Sequence, residues 1–343
     1  MPSPTRDVAP VLDQLQRPVR DLRISVTDRC NLRCVYCMPK EVYGASFPFL
    51  PRAEILSFEE IVRVARVLVA LGVRKIRLTG GEPLVRRDLD QLVASLAALP
   101  GVEDLALTTN GLLLPSRAAA LRAAGLRRLT VSLDAIDDAT FRAMTDVGVS
   151  VDRVLAGIAA ARAAGFDPIK VNAVVKRGVN DGGVLALAAF AREQGHILRL
   201  IEYMDVGHTN GWRLDDVVPA AELRDRLDAA WPLEPLPARY PGEVATRYRY
   251  RDGGGEVGII ASVTRPFCGA CTRARLSADG RLFTCLFAGA GRDLRPLLRG
   301  AADDTGLALA LAEVWRGRTD RYSEQRSSQT AGLDRVEMSY IGG

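Results

Sequence analysis

The feature that most constrains the fold is a regular alternation of short β-rich runs and helical stretches across residues 19–205. The β-rich runs are Asp21–Thr27, Lys75–Thr79, Leu105–Thr109, Arg128–Asp134, Ile169–Val175 and Ile197–Met204. The helical stretches are Ser57–Leu71, Asp88–Leu99, Ser116–Ala124, Asp137–Thr145, Val151–Ala164 and Asp181–Gln194. Six such β–α repeats predict an α/β fold with a parallel sheet and outer helices. A closed barrel would need two more units, so we predict a partial six-unit (β/α) TIM-type barrel.

One face of the predicted strands is polar. With a period of two, the polar positions share one side of each strand. They are Arg23, Ser25, Thr27, Arg77, Thr79, Thr108, Asn110, Thr130, Ser132, Asp134, Lys170 and Asn172. The apolar residues between them must face the helices, so the polar side faces the lumen. Few acids are available there to pair the cations, which favours an anionic ligand; a set of buried ion pairs is the alternative.

The remainder of the chain divides into two parts. Residues 1–18 contain proline and show no sustained period, which predicts a loose N-terminal arm. From about Val206 the alternation stops, and two β-like runs and two helical patterns follow. These are Thr246–Arg251, Val257–Val263, Leu294–Arg299 and Leu307–Arg316. We therefore predict a barrel core at 19–205 and a smaller α+β region at 206–343 that closes its open end.

Composition excludes several classes of protein. The sequence has no run of 18 apolar residues and no apolar segment in Met1–Arg17, so neither a membrane span nor a secretory signal is expected. A cytoplasmic location follows, where the six cysteines stay reduced and are better interpreted as ligands than as disulfides. The net charge of +5 comes without a dense basic run, so nucleic-acid binding is not favoured. A monomer and a homodimer both remain open.

The first three cysteines, Cys30, Cys34 and Cys37, have the spacing C-x3-C-x2-C. They follow the first predicted strand, at the strand end where α/β barrels place their chemistry. A structural zinc site usually has four Cys or His ligands, and the two histidines, His196 and His208, lie far away in sequence. Three thiolates from one loop suit a 4Fe–4S cluster with one open iron. A zinc ion completed by a distant residue is the alternative.

The other three cysteines, Cys268, Cys271 and Cys285, have the spacing C-x2-C-x13-C. A second 4Fe–4S cluster is the simplest interpretation, and a zinc site completed by another side chain is again the alternative. Between them lie Arg273 and Arg275, which point the same way in an extended segment. Paired guanidinium groups of this kind suit an anion such as a phosphate.

Residues 27–39, which read TDRCNLRCVYCMP, resemble the three-cysteine motif of the radical S-adenosylmethionine (SAM) superfamily. The resemblance implies that the open iron binds the amino and carboxylate groups of SAM. One-electron reduction would then cleave SAM to methionine and a 5′-deoxyadenosyl radical. Thr79–Pro83 is similar to the glycine-glycine-glutamate-proline motif that holds the SAM amine in that superfamily. By the same resemblance, the SAM contacts are Tyr36, Gly81, Glu82, Ser132 and Met204.

Two three-cysteine groups, one in each half of the chain, resemble the GTP 3′,8-cyclases of molybdenum cofactor biosynthesis. The resemblance runs from Leu22 to the final residue, and it includes Ile76–Pro83 and the terminal Gly342–Gly343. It implies that the radical removes the 3′ hydrogen of GTP, and that C3′ then bonds to C8 of the guanine. The product, 3′,8-cyclo-7,8-dihydro-GTP, would pass to the next pterin-forming enzyme. The resemblance also implies that the second cluster binds the guanine, and an external reductant would supply the electron.

The predicted GTP contacts combine the polar lumen with this resemblance. They are Arg23, Arg77, Thr108, Lys170, Arg273 and Arg275, with Lys75 and Arg199 as weaker candidates. Lys170 stands out because only four of the 46 basic residues are lysines. This rarity indicates that its position requires a compact ammonium group instead of a guanidinium. Gly342 and Gly343 are expected to reach toward the active site, although a floppy terminus is the commoner case. A peptide-modifying radical SAM enzyme and a zinc-stapled nucleic-acid-binding protein are the competing functions.

Overall fold

Six strands run parallel and lie side by side in chain order, as the β–α repeats predict. The structure is a computed structural model that describes residues 10–326 and 333–343. The strands are β1 (Asp21–Ser25), β2 (Lys75–Thr79), β3 (Asp104–Thr109), β4 (Arg128–Ser132), β5 (Lys170–Val175) and β6 (Ile197–Glu202). Three of them, β1, β4 and β6, end two residues before the predicted position, so the residues that follow belong to loops at the carboxyl edge of the sheet.

Six helices connect these strands and cover one face of the sheet. They are α1 (Phe58–Ala70), α2 (Leu89–Ala97), α3 (Leu114–Ala123), α4 (Asp138–Thr145), α5 (Asp152–Ala163) and α6 (Val184–Glu193). Helix α1 begins with a capping box, in which Ser57 Oγ accepts from the Glu60 N–H and the Glu60 carboxylate accepts from the Ser57 N–H. Its apolar stripe includes Ile61 and Val64, which are buried in the main core.

The described part of the C-terminal region contributes six more strands and five α-helices. The strands are β7 (Leu233–Leu236), β8 (Thr246–Tyr250), β9 (Glu256–Ile260), β10 (Arg273–Leu276), β11 (Arg281–Phe283) and β12 (Arg292–Asp293). The helices are α7 (Ala220–Ala230), α8 (Arg295–Arg299), α9 (Asp304–Arg316), α10 (Tyr322–Gln325) and α11 (Met338–Ile341). The predicted runs from Thr246 and Val257 correspond to β8 and β9, and the two predicted helical patterns correspond to α8 and α9. Within the described ranges, no helix is long and apolar enough to cross a membrane.

The C-terminal strands join the sheet of the β–α units instead of forming a sheet of their own. Strand β10 pairs in parallel with β1, and β9 pairs in parallel with β6. The result is one twelve-stranded sheet in the order β12-β11-β10-β1-β2-β3-β4-β5-β6-β9-β8-β7. The sequence alternation did not reveal these two additional parallel strands, because they come from a region without β–α repeats. Both edges of the six-stranded unit are therefore extended by residues from beyond Val206.

The strand register places three arginines next to one another. Arg23 of β1 is in register with Arg77 of β2 on one side and with Arg275 of β10 on the other. The neighbours of Arg23, Leu22 and Ile24, are fully buried in the apolar core on the opposite face. The alternation that predicted one polar and one apolar face is confirmed for these strands.

The described part of the N-terminal arm is packed, which corrects the prediction of a loose segment. Asp13 and Arg17 are only 3% and 2% exposed, and the Arg17 Nε donates to the Asp13 carboxylate at 2.6 Å. The Val11 N–H donates to the Leu71 carbonyl, and the Trp315 indole donates to the Arg17 carbonyl. These partners are distant in sequence, so no local period revealed them. Residues 1–9 of the predicted arm lie outside the described residues.

Candidate active site

One large cavity extends from the carboxyl ends of the parallel strands toward their amino ends, and all six cysteines line it. Its volume is about 280 Å³. Segments that follow successive strands supply its wall, including Cys30 after β1, Gly81 after β2, Asn110 after β3 and Asp134 after β4. The structure therefore brings together the two cysteine triples, although more than 230 residues separate them in sequence.

The first triple lies on a loop that is held by its own arginine. Arg33 donates to the Cys30 carbonyl at 2.9 Å and to the Tyr43 carbonyl at 2.7 Å. The Cys37 N–H donates to the Cys34 carbonyl at 3.0 Å, which closes a turn between these two ligands. Burial raises the pKa of the Cys30 thiol to about 11, with a smaller contribution from nearby Glu82. A cation bound at this loop would offset that burial cost by stabilising the thiolate.

The turn after β2 packs directly on the cysteine loop. The Gly81 N–H donates to the Thr27 carbonyl at 2.9 Å, and the Glu82 N–H donates to the Arg29 carbonyl at 2.8 Å. Gly80 has a φ of +151°, and a Cβ there would lie 2.6 Å from the Thr27 carbonyl oxygen. Glycine is therefore required for this close approach of the two backbones.

The Glu82 side chain braces this edge of the cavity. It is 1% exposed, and its carboxylate accepts from the Leu84 N–H, the Thr109 hydroxyl and the Asn110 N–H at 3.0, 2.7 and 2.7 Å. Burial raises the pKa of Glu82 to about 7, although these hydrogen bonds oppose the shift. Most of its acceptor capacity is used within the chain, so its predicted contact with the SAM amine stays a prediction.

The other predicted SAM contacts also line the cavity. They are Tyr36, Gly81, Ser132 and Met204. The Tyr36 hydroxyl donates to Asp134 at 2.9 Å, and the other Asp134 oxygen accepts from the Val174 N–H at 2.8 Å. Burial raises the pKa of Asp134 to about 6. The tyrosine ring is thereby fixed beside the first cysteine triple.

The second triple lies opposite, around a short turn at Cys268–Ala270 and at Cys285 after β11. Burial alone would raise the pKa of the Cys271 thiol, but the nearby Arg273 and Arg318 guanidinium groups lower it to about 7. Arg273 also lies over the Phe267 ring, with its guanidinium carbon 5.1 Å from the ring centroid. This side of the cavity is therefore electropositive.

Four predicted GTP contacts form a cluster of arginines in the cavity wall, namely Arg23, Arg77, Arg273 and Arg275. Burial and the charges of the other three arginines hold the pKa of Arg23 well below its ordinary value. Arg77 donates to the Thr108 hydroxyl at 2.8 Å, which places that predicted contact beside it. Among the described residues, no acid lies within ion-pair distance of any of the four. The excess of positive charge favours an anionic ligand over the alternative of buried ion pairs.

Two weaker candidates occupy different places. Lys75 does not line the large cavity; it pairs with Asp21 at 3.1 Å and donates to the Tyr240 hydroxyl at 2.7 Å. Its charge is already matched, which makes it a poor phosphate contact. Arg199 does line the cavity, and burial lowers its pKa to about 10, with a further contribution from Arg77.

Lys170 lies behind Arg199, in a second and much smaller cavity. That cavity has a volume of about 10 Å³, and Arg199 lines both cavities. Lys170 is 7% exposed, and burial together with Arg199 and three other arginines lowers its pKa to about 6. Arg199 lines the large cavity, whereas Lys170 does not. The predicted contact therefore stays a prediction.

The two C-terminal glycines are ordered against the cavity. Gly342 has a φ of +75°, its carbonyl accepts from Arg275, and a Cβ there would collide with the Thr79 hydroxyl. Gly343 lines the large cavity. Both glycines therefore lie at the cavity, and their contact with a ligand stays a prediction.

The donor set fits iron–sulfur clusters better than single metal ions. Within the described ranges, no three His, Cys, Asp or Glu side chains are close enough together to hold one ion. A tetrahedral zinc with Zn–S bonds of about 2.3 Å would bring its thiolates to about 3.8 Å from one another. Neither histidine lines the large cavity to complete such a site. Three thiolates around open space suit a 4Fe–4S cluster with one free iron.

Two further residues of the site were not singled out as candidates from the sequence. Asn172 lines the cavity, and its buried Oδ1 has no hydrogen-bond partner among the described residues. Its place on the polar face of β5 was the signal that could have found it. Arg318 also lines the cavity and donates to the Cys271 Sγ at 3.1 Å. No sequence signal separates it from the many other arginines.

Comparisons with known proteins identify the family. Residues 24–191 match the model of the radical SAM superfamily, and residues 196–324 match Molybdenum Cofactor Synthesis C. The chain is 59% identical to the GTP 3′,8-cyclase of Acidothermus cellulolyticus, over 97% of this chain and 99% of that protein. The chain belongs to the GTP 3′,8-cyclase family. A second GTP 3′,8-cyclase, from Xanthomonas campestris pv. campestris, is 54% identical over 99% of each chain.

Because the chain belongs to the GTP 3′,8-cyclase family, the two competing predictions, a peptide-modifying enzyme and a nucleic-acid-binding protein, are set aside. The two matched ranges meet just before β6, whereas the domain boundary predicted from the sequence lies after it. Among solved structures, Streptococcus suis SuiB bound to S-adenosylmethionine matches with a TM-score of 0.61. The match has 16% identity and covers 92% of this chain and 72% of SuiB. This GTP 3′,8-cyclase therefore shares its fold with SuiB.

Proposed function

We propose that the six cysteines hold two 4Fe–4S clusters that face each other across one cavity, with SAM at the first and GTP at the second. The chain is a radical SAM GTP 3′,8-cyclase of molybdenum cofactor biosynthesis, as its family indicates. The observation that carries the two-site proposal is that both cysteine triples line the same cavity, with unpaired arginines between them.

The chemistry that SAM and the first cluster supply when bound is a 5′-deoxyadenosyl radical, which takes the 3′ hydrogen of GTP and lets C3′ bond to guanine C8. The side chains of the protein bind SAM and GTP and orient them toward each other. We assign SAM to the wall formed by Tyr36, Gly81, Glu82, Ser132 and Met204. The Tyr36–Asp134 hydrogen bond fixes the aromatic ring, and the two glycines let the turn after β2 pack closely on the cysteine loop.

We assign GTP to the electropositive side of the cavity. A nucleoside triphosphate carries about four negative charges at neutral pH, and the arginine cluster offers bidentate donors without acids to satisfy them. Arg23, Arg77 and Arg275 lie in register on three adjacent strands, so their guanidinium groups can bind successive phosphates. Arg273 and the second cluster would then hold the guanine end. Thr108 and Lys170 complete the proposed set.

The architecture and the partners follow from this assignment. We propose that the six β–α units of 19–205 form a partial barrel and that 206–343 closes its open end. The enzyme needs two electrons from a one-electron reductant, one to cleave SAM and one that, with a proton, quenches the cyclised nucleotide radical. It then passes the cyclised nucleotide to the next pterin-forming enzyme. A reducing compartment, the cytoplasm, suits clusters with an open iron. Neither a nucleic acid nor a membrane is required, and both a monomer and a homodimer are compatible with the cavity.

Iron and sulfide analysis after anaerobic reconstitution tests the two-cluster assignment. The unsubstituted chain should hold about eight irons, since each 4Fe–4S cluster contributes four. One variant replaces Cys30, Cys34 and Cys37 by alanine, and the other replaces Cys268, Cys271 and Cys285. Each should retain about four irons. Zinc in place of iron, or one variant that loses all its iron, would contradict the assignment.

A further inference from the structure

The turn of the second cysteine triple is held by a buried ionic cluster from two distant parts of the chain. Asp13 and Arg17 come from the N-terminal segment, and Arg318 follows α9. Arg17 Nε lies 2.6 Å from the Asp13 carboxylate, and Arg318 Nη1 lies 3.3 Å from the same oxygen. The side chains of all three residues are 2% exposed or less. Burial at this level makes each partner costly to remove.

Arg318 uses every nitrogen of its guanidinium group. Its Nη1 donates to the Cys271 carbonyl at 2.7 Å, its Nη2 to the Cys271 Sγ at 3.1 Å, and its Nε to the Asp320 carboxylate at 3.3 Å. The guanidinium carbon also lies 4.7 Å from the centroid of the Trp315 ring. The fork is therefore fixed, with one N–H aimed at the sulfur.

Arg17 holds the other cysteine of the turn. Its Nη1 donates to the Cys268 carbonyl at 2.7 Å and to the Asp320 carbonyl at 2.8 Å. Two arginines, both anchored on Asp13, thus hold the backbone of two cluster ligands. The N-terminal segment is consequently part of the wall around the second cysteine triple.

Among the described residues, no comparable side chain holds the first triple. Arg33 contacts the Cys30 carbonyl and the Met38 sulfur. The closest donor to the Cys30 Sγ is the Leu32 N–H at 3.4 Å, and the Asn110 amide lies at 4.0 Å. In the part of the chain that the structure describes, a guanidinium donates to a cysteine sulfur only at the second triple.

We infer that Arg318, held in place by Asp13 and Arg17, is a positioning residue that raises the reduction potential of the second cluster and fixes its binding turn. The inference rests on the proposed function, because it requires a cluster at the second triple. Each cluster accepts one electron from an external reductant such as dithionite, and the reduced cluster carries the more negative charge. A hydrogen bond from a cation to a ligating sulfur stabilises that state more than the oxidised one.

The test is a redox titration followed by electron paramagnetic resonance on the reconstituted full chain. The two triple-alanine variants assign the signals to the two clusters. In Arg318→Gln, the reduced-to-oxidised ratio of the second cluster at the wild-type midpoint potential should fall about tenfold, which is a shift of about 59 mV for one electron. The first cluster should keep its midpoint. Arg318→Lys keeps a cation, so its midpoint potential should shift by less than half as much.

Arg316→Gln is the matched control, because it removes the same charge from an exposed position two residues away. It should leave both midpoints unchanged. Asp13→Asn serves as a second variant if Arg318→Gln does not fold. It keeps the side-chain shape but removes the shared anchor, so a chelator should extract iron from the second cluster about threefold faster, while the first cluster keeps its rate.

The outcomes separate the inference from the function on which it rests. An unmoved second midpoint in Arg318→Gln overturns the inference, and so does an equal shift of both clusters. Equal iron loss from both clusters in Asp13→Asn overturns the role of the anchor. A wild-type chain that reconstitutes only one cluster overturns the two-cluster proposal and the inference with it. Two intact clusters with unmoved potentials overturn the inference alone.

Discussion

Binding of GTP should draw a proton onto Lys170. This lysine is buried in the small cavity behind Arg199, and burial together with Arg199, Arg128 and Arg77 lowers its pKa to about 6. The acids nearest to it in that cavity include Glu256, which is already paired with two arginines. Lys170 is therefore mostly uncharged at neutral pH in the free enzyme. The negative charges of a bound triphosphate would raise its pKa again.

The size of the effect follows from these values. A pH of 7.5 is about 1.5 units above the pKa of Lys170 in the free enzyme, so protonating this lysine costs about 2 kcal/mol. Because the bound-state pKa is the higher one, GTP affinity is strongest below about pH 6 and weakens as the pH rises toward the bound-state pKa. The Kd should increase up to about tenfold per pH unit between about pH 7 and 8.5. The terminal phosphate, with a pKa of about 6, is already ionised there.

Isothermal titration calorimetry in buffers of different ionisation enthalpy measures the proton directly. At pH 7.5 we expect nearly one proton taken up per GTP, since the free lysine is about 3% charged. Lys170→Gln should abolish both the uptake and the pH slope. Lys40→Gln, which removes an exposed lysine paired with Asp146, should preserve both. Absence of proton uptake in the wild type, or the same uptake in Lys170→Gln, would show that Lys170 does not gain the proton.

Two shorter predictions concern the wall of the cavity. Gly342→Ala places a Cβ against the Thr79 hydroxyl at a φ of +75°, which costs about 1–2 kcal/mol in backbone strain alone, so cyclised nucleotide should form at least about tenfold more slowly. Gly343→Ala meets only a flexible methionine and should stay within about threefold. Glu82→Gln sets an amide donor against a backbone N–H and should lower the free energy of unfolding by about 1–3 kcal/mol, measured by urea denaturation; an unchanged midpoint would contradict it.

The β–α units and much of the site could be predicted from the sequence, because both depend on short-range patterns of polar and apolar residues. The alternation around Arg23 and Arg77 identified the polar face, and the turn at Gly81 and Glu82 was recognisable from its motif. Cysteine spacing then separated two triples before any contact was known. These features depend only on residues that lie close together in the sequence.

The sequence did not predict features that depend on pairing at long range. Strands β9 and β10 join opposite edges of the six-stranded unit, and nothing in their composition specifies those partners. The packed N-terminal segment relies on contacts between residues such as Asp13 and Arg318, which lie 305 positions apart. Lys75 was a candidate from its position on a polar face, but its pairing with Asp21 became visible only in the folded chain.

Transfer of hydrogen from C3′ of GTP to the deoxyadenosyl group is the step that defines the proposed reaction. The reconstituted enzyme would be incubated anaerobically with SAM, dithionite and GTP that carries deuterium at C3′, and the 5′-deoxyadenosine would be analysed by mass spectrometry. We expect one deuterium in 5′-deoxyadenosine together with a cyclised nucleotide. Unlabelled 5′-deoxyadenosine, or no GTP-dependent product, would contradict the proposed reaction.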